Sequence, residues 1–268
     1  MNRISRTVAV SALVLAMGSF GAAPLLAEHD DRDDYAHKPE AQAFVHGAPA
    51  VPSEPWTIAA GGRIYDSWWD ALDREEPQET NPAYPETSQI SGAATWRCKE
   101  CHGWDYMGRD GIYSKGKHYT GIKGIREAEG RPVEQIMPIL RDANHPYTQE
   151  MIRDDEMARV ALFVSKGQLD MPSFIDMETR QVKAGDPDRG RGVFQTVCAA
   201  CHGFDGRMLD WGQDGKHNYI GTEARSLPDE VMNKVMNAHP GVAMVNLRAF
   251  PPEVGIDVLA YIATLPTE

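Results

Sequence analysis

Three observations predict an all-α fold made of two successive copies of one small helical unit: a five-residue string occurs twice, shorter strings recur behind it, and apolar residues keep helical spacing in both copies. The five-residue string is Cys98-Lys99-Glu100-Cys101-His102, matched by Cys198-Ala199-Ala200-Cys201-His202, and the pair uses all 4 cysteines of the chain. Behind it, His102-Gly103-Trp104-Asp105 is echoed by His202-Gly203-Phe204-Asp205, Gly116-Lys117-His118 by Gly215-Lys216-His217, and His145-Pro146 by His239-Pro240. The offsets are 100, 99 and 94 residues. Short loop deletions between two copies of one unit produce such a drift, and each copy is long enough for a small domain.

Taken in order, the chain opens with Arg3 and Arg6, an apolar run from Val8 to Met17, and small residues leading to Ala27, which predicts a cleavable export signal over 1–27. The apolar run is too short for a bilayer-spanning helix, which needs roughly 20 residues, and no later stretch approaches that length. A periplasmic mature chain with no transmembrane segment is expected. Residues 28–55 are rich in acids, His and Pro, and read as a disordered tail. Residues 56–92 read as an extension with a helix over Gly62 to Leu72, where Ile64, Trp68 and Leu72 share a face and Tyr65 and Trp69 lie beside them. Adjacent Trp residues are commonly core; the sharper reading is a cover over a cofactor edge or a docking surface.

Residues 93–170 form the first unit, 171–187 a linker and 188–268 the second. In the first, Val133, Ile136, Met137 and Leu140 follow Pro132 at i, i+3, i+4, i+7, and Met157, Val160, Ala161 and Val164 repeat that spacing after Asp154-Asp155. In the second, Val231, Met232, Val235 and Met236 follow Pro228, and Val254, Val258 and Ile262 follow Pro251-Pro252. A short helix leads into each motif, clearest at Val193, Phe194 and Val197.

The formal charge is -12, and removing 1–27 takes away two Arg and no acid, leaving -14. Nucleic acid is thereby excluded as a partner, since its phosphates call for clustered Lys and Arg.

The string C-x-x-C-H is the attachment site of c-type haem: both thiols form thioethers to the haem vinyl groups and the adjacent His reaches the iron. One helical turn places the two sulfurs at the porphyrin edge and the His beneath the metal. Zinc-binding C-x-x-C pairs lie much closer together than Cys101 and Cys198. Disulfides or a thioredoxin-like redox pair leave His at both following positions unexplained. Two covalently bound haem c groups are therefore expected, with Cys98, Cys101, Cys198 and Cys201 as attachment points and His102 and His202 as axial ligands.

Both motifs, the Gly-Asp-Pro-Asp-Arg-Gly-Arg-Gly-Val-Phe string at 185–194 and the Pro-Gly-Val-Ala-Met string at 240–244 resemble the class I cytochrome c family in tandem, diheme form, over residues 93–268. That resemblance implies two helical domains, each around one haem, with iron held by the motif His and by a loop Met before the last helix. Residues 28–92 have no counterpart in it, and neither motif is followed by the Pro whose carbonyl usually supports the ring, so the second-shell acceptor of His102 and His202 is unassigned.

On that implication Met151 and Met244 are the expected sixth ligands; they stand at matching places, six and five residues after the repeated His-Pro. His145 and His239 are the competitors, giving iron of lower potential, and Met171 is a further one in the first copy. Met137, Met157, Met232 and Met236 lie on helix stripes as core filler. Met107 and Met208 have only a short path to the far haem face. His118 and His217 read as solvated loop residues, and Tyr119 and Tyr219 as propionate contacts.

The resemblance implies an electron carrier working with redox partner proteins. Beside it stand a diheme oxidoreductase, thiosulfate dehydrogenase-like or peroxidase-like, an electron-transfer subunit of such an enzyme, and a redox or gas sensor. An enzyme or gas sensor needs an open or unusually ligated iron. A thiosulfate dehydrogenase of the diheme type uses a Cys axial ligand, and attachment consumes all 4 cysteines here.

Overall fold

The computed structural model describes residues 45–268, so the signal expected over 1–27 and much of the tail expected over 28–55 lie outside the described residues. The described chain is all-α; its only strand-like pairings are the isolated bridges Gly108 to Lys123 and Ile175 to Val182. No helix among the described residues is long and apolar enough to cross a membrane.

Helix α1 (Glu54–Asp66) begins inside the span read as disordered tail. Ser53 accepts a hydrogen bond from the Trp56 N–H and Pro55 stands in the first turn, both start signals. The helix predicted over Gly62 to Leu72 is interrupted at Ser67, whose backbone is extended, and resumes as α2 (Trp68–Leu72). Trp68 and Trp69 are both buried and meet edge to face at 5.7 Å, so they are core residues.

A 3₁₀ turn (Gly92–Trp96) leads into α3 (Cys98–His102). The stripe from Val133 to Leu140 is not one helix. Pro138, lacking an N–H, divides it into α4 (Val133–Ile136) and a 3₁₀ turn (Ile139–Arg141). Then come α5 (Asp154–Lys166), whose Glu156 carboxylate accepts from the Arg153 N–H, and the short α6 (Met171–Phe174). The second half contains α7 (Pro187–Val193), a π turn (Phe194–Cys198) and α8 (Ala199–His202). It closes with α9 (Ile220–Ser226), α10 (Pro228–Asn237) and α11 (Pro252–Ile262).

Each half is organised by one helix crossing. α1 crosses α5 at Gly61, where a Cβ would lie 2.1 Å from the Arg159 carbonyl oxygen. α7 crosses α11 at Gly190, where a Cβ would lie 1.9 Å from the Asp257 carbonyl oxygen. Four residues beyond each glycine an aromatic ring meets the partner helix: Tyr65 on Phe163 at 5.3 Å and Phe194 on Tyr261 at 5.4 Å. The helix of the 56–92 stretch therefore shares a core with residues 93–170.

In the second half the crossing helix runs on into the motif. In the first, residues 67–97 intervene; the crossing glycines are 129 residues apart and the motif histidines 100, a difference of about 29 residues of inserted chain.

The halves meet where α10 packs on α1, with Gly62 against the Asn237 side chain. Tyr106 donates its hydroxyl to Asn233 Oδ1 at 2.5 Å, Asn233 Nδ2 donates to the Trp104 carbonyl at 3.0 Å, and Arg180 pairs with the fully buried Asp229. Tyr106, Asn233, Arg180 and Asp229 are thus partnered, which favours one arrangement of the halves, while the buried Asn237 Nδ2 at the same contact has no partner among the described residues.

Candidate functional site

In the first half, Cys98, Cys101 and His102 line a single cavity of about 490 Å³. Its walls are mainly apolar, with Ile125, Ile136, Leu140 and Ile152 opposite Val160 and Val164 of α5. The inserted segment closes one side through Asn81, Ala83, Tyr84 and Pro85. Tyr147 fixes the rim by donating to the Trp96 carbonyl at 3.0 Å, and its oxygen lies 3.8 Å from Cys98 Sγ.

His102 Nδ1 bonds to the Lys123 carbonyl at 2.9 Å, which supplies the acceptor that the sequence left unassigned. An Nδ1–H donor there leaves Nε2 as the free lone pair. Burial pushes His102 down to about 4, so the ring is neutral near pH 7 and fit for ligation. Burial also pushes Cys98 up to about 11 and Cys101 up to about 12. These are protonated thiols, unlike the thiolates of disulfide exchange. All four cysteines are free.

The candidate sixth ligands are placed differently. His145 lines the cavity, with its ring centroid 6.2 Å from that of His102 and the planes 21° apart. Its Nδ1 lies 3.0 Å from Asp142 Oδ1. Met151 is half-buried but absent from the cavity wall, and its carbonyl accepts from Arg74. Met171 is fully buried at the start of α6, away from the cavity, while Met157, assigned to the core, forms part of its wall.

Beside the first motif, Glu100 is buried, and His118 and Lys99 hold its carboxylate ionised against the cost of burial, at about 2. His118, read as solvated, thus has a carboxylate partner and stacks on Tyr113 at 4.7 Å. Tyr119 is exposed and outside the cavity wall.

The second motif lies nearer the surface: Cys201 is exposed and Cys198 half-buried. Burial pushes Cys198 up to about 11 and lowers His202, whose buried Nδ1 has no acceptor among the described residues. Trp211 lies 6.1 Å and Phe194 6.4 Å from the His202 ring. Met244 is half-buried between exposed Val242 and Val245. His239 bonds to the Pro240 carbonyl at 2.7 Å, and burial, with the Lys234 charge next, holds its pKa below the usual imidazole value. His217 pairs with Asp210 at 2.7 Å and stacks on the buried Tyr219 at 5.2 Å.

Sequence reasoning missed Lys123, Tyr147 and Trp211. Lys123 acts through its backbone and so carries no side-chain signal. Asp142, three residues before His145, did carry one in its spacing. No three His, Cys, Asp or Glu side chains among the described residues converge as around a bare metal ion. Haem iron asks for only two protein ligands. No protein-family model, no curated protein and no solved structure matches the chain.

Proposed function

We propose that this chain is an exported electron carrier holding two covalent haems in tandem class I cytochrome c-like domains. One haem is attached at Cys98 and Cys101 with His102 on the iron; the other is attached at Cys198 and Cys201 with His202 on the iron. The observation that carries this reading is the convergence of both thiols and the imidazole of the first motif on one apolar cavity of about 490 Å³. That size and lining suit a large flat apolar group. A bound haem supplies a reversible one-electron couple, whose potential follows from axial ligands and burial.

The chain's own residues do the rest. The Lys123 carbonyl orients His102, α5 and α4 wall off water, and the inserted segment covers one side of the first site. The second site, with Cys201 exposed beside Phe204, Met208 and Trp211, is where a redox partner protein reaches a haem edge. Met244 remains the proposed second ligand there.

Intact mass under denaturing conditions tests the reading. Two haems on the exported chain are expected, and a mass with none or one defeats it. Turnover of thiosulfate or peroxide by the pure protein, without added enzyme, would replace the carrier by an oxidoreductase.

A further inference from the structure

We infer that His145, and not Met151, is the second axial ligand of the first haem, so that the two irons of the chain are ligated differently. This rests on the diheme reading above. His102 and His145 both line the cavity, with ring centroids 6.2 Å apart and planes within 21°. Two imidazoles bonded to one metal through nitrogens at about 2 Å keep their centroids about 6 Å apart. Ring faces in contact come closer, as Tyr113 and His118 do at 4.7 Å.

The outer nitrogens support the same assignment. His102 has its Nδ1 on the Lys123 carbonyl at 2.9 Å and His145 has its Nδ1 on the Asp142 carboxylate at 3.0 Å. A ligating imidazole commonly donates its other N–H to a carbonyl or a carboxylate, which fixes the tautomer and leaves Nε2 for the metal. Here both rings are prepared in that way, from two segments 43 residues apart in sequence. Met151 is not part of the cavity wall.

The second half lacks the arrangement. The ring neighbours of His202 are Phe194 and Trp211, not His239, the repeat partner of His145, and the buried His202 Nδ1 has no acceptor among the described residues. Bis-His iron has a lower potential than His–Met iron. The first haem is thus the low-potential member of the pair.

The test uses the oxidised full-length holoprotein, with two attached haems first established by mass. A chain without haem would end the diheme reading, and this inference with it. On the diheme protein, electron paramagnetic resonance and near-infrared magnetic circular dichroism distinguish bis-His from His–Met iron. One bis-His signal is expected in the native chain. It should be lost in His145→Ala, become a His–Met signal in His145→Met, and stay unchanged in Met151→Ala. If His145→Ala does not fold, His145→Met and Met151→Ala still decide. A native chain with no bis-His signal, or loss of a His–Met signal in Met151→Ala, would overturn the assignment.

Discussion

At the scale of single residues, three glycines separate helix propensity from packing. Gly190 and Gly61 lie within helices, where alanine is better by roughly 1 kcal/mol. A Cβ at either position would sit 1.9 or 2.1 Å from a carbonyl oxygen of the crossing helix, so overpacking outweighs that gain. Gly190→Ala and Gly61→Ala are expected to destabilise by about 2 kcal/mol or more. Gly192 shares α7 with Gly190, but a Cβ there meets nothing within 4 Å. Gly192→Ala should therefore stabilise by up to about 1 kcal/mol. Urea unfolding of the three variants checks the opposed signs; equal shifts for Gly190→Ala and Gly192→Ala would mean that the crossing is looser than described. Tyr65→Phe is a second residue-scale test. It removes the donor to the Gly103 carbonyl at 2.6 Å next to the first motif, and a loss of roughly 1–3 kcal/mol is expected in the same assay.

At the scale of elements, α1 is part of the first half although the motif lies far downstream. A fragment beginning at residue 93 lacks the helix that crosses α5 and should remain largely unfolded, whereas one spanning 54–184 should give cooperative helical melting by circular dichroism. Equal helicity in the two fragments would make α1 dispensable.

The same element shows what the sequence made legible. α7 was readable because Val193, Phe194 and Val197 run directly into Cys198. α1 has the same Gly-then-aromatic spacing, but the insertion shifts it out of register with the repeat, so similarity to the second copy could not find it. α5, α10 and α11 followed their apolar periodicity, while Pro138 overrode the stripe in α4. The repeat matched both His145 with His239 and Met151 with Met244, and spacing along a loop does not say which side chain turns inward. The cavity wall holds His145 and omits Met151.

At the scale of the whole molecule, the contact between the halves contains a group whose protonation depends on folding. Burial pushes Asp229 up to about 6, against the pull of the Arg180 guanidinium. A carboxyl raised in the folded state adds stability that is complete below its unfolded pKa, about 4, and is lost as pH rises through 6. The native chain should lose on the order of 3 kcal/mol from this group between those pH values. Denaturant midpoints of native protein and Asp229→Asn, compared across pH 4 to 7, isolate it: the difference between the two curves should slope over that interval. A flat difference would place the proton elsewhere.

The insertion leaves the crossing helix at Asp66 and returns at Arg97, and these two residues hold each other. Arg97 Nε donates to the Asp66 carbonyl at 2.6 Å and the guanidinium pairs with the carboxylate. A detour whose ends are fastened together behaves as a cassette. Its length is nearly free to vary, because each doubling of a loop adds only about 0.6 kcal/mol of closure entropy. A mouth built from Tyr84 and Pro85 could thus be exchanged for a wider or narrower one, retuning access to the first cavity while the helix crossing beneath it keeps its shape.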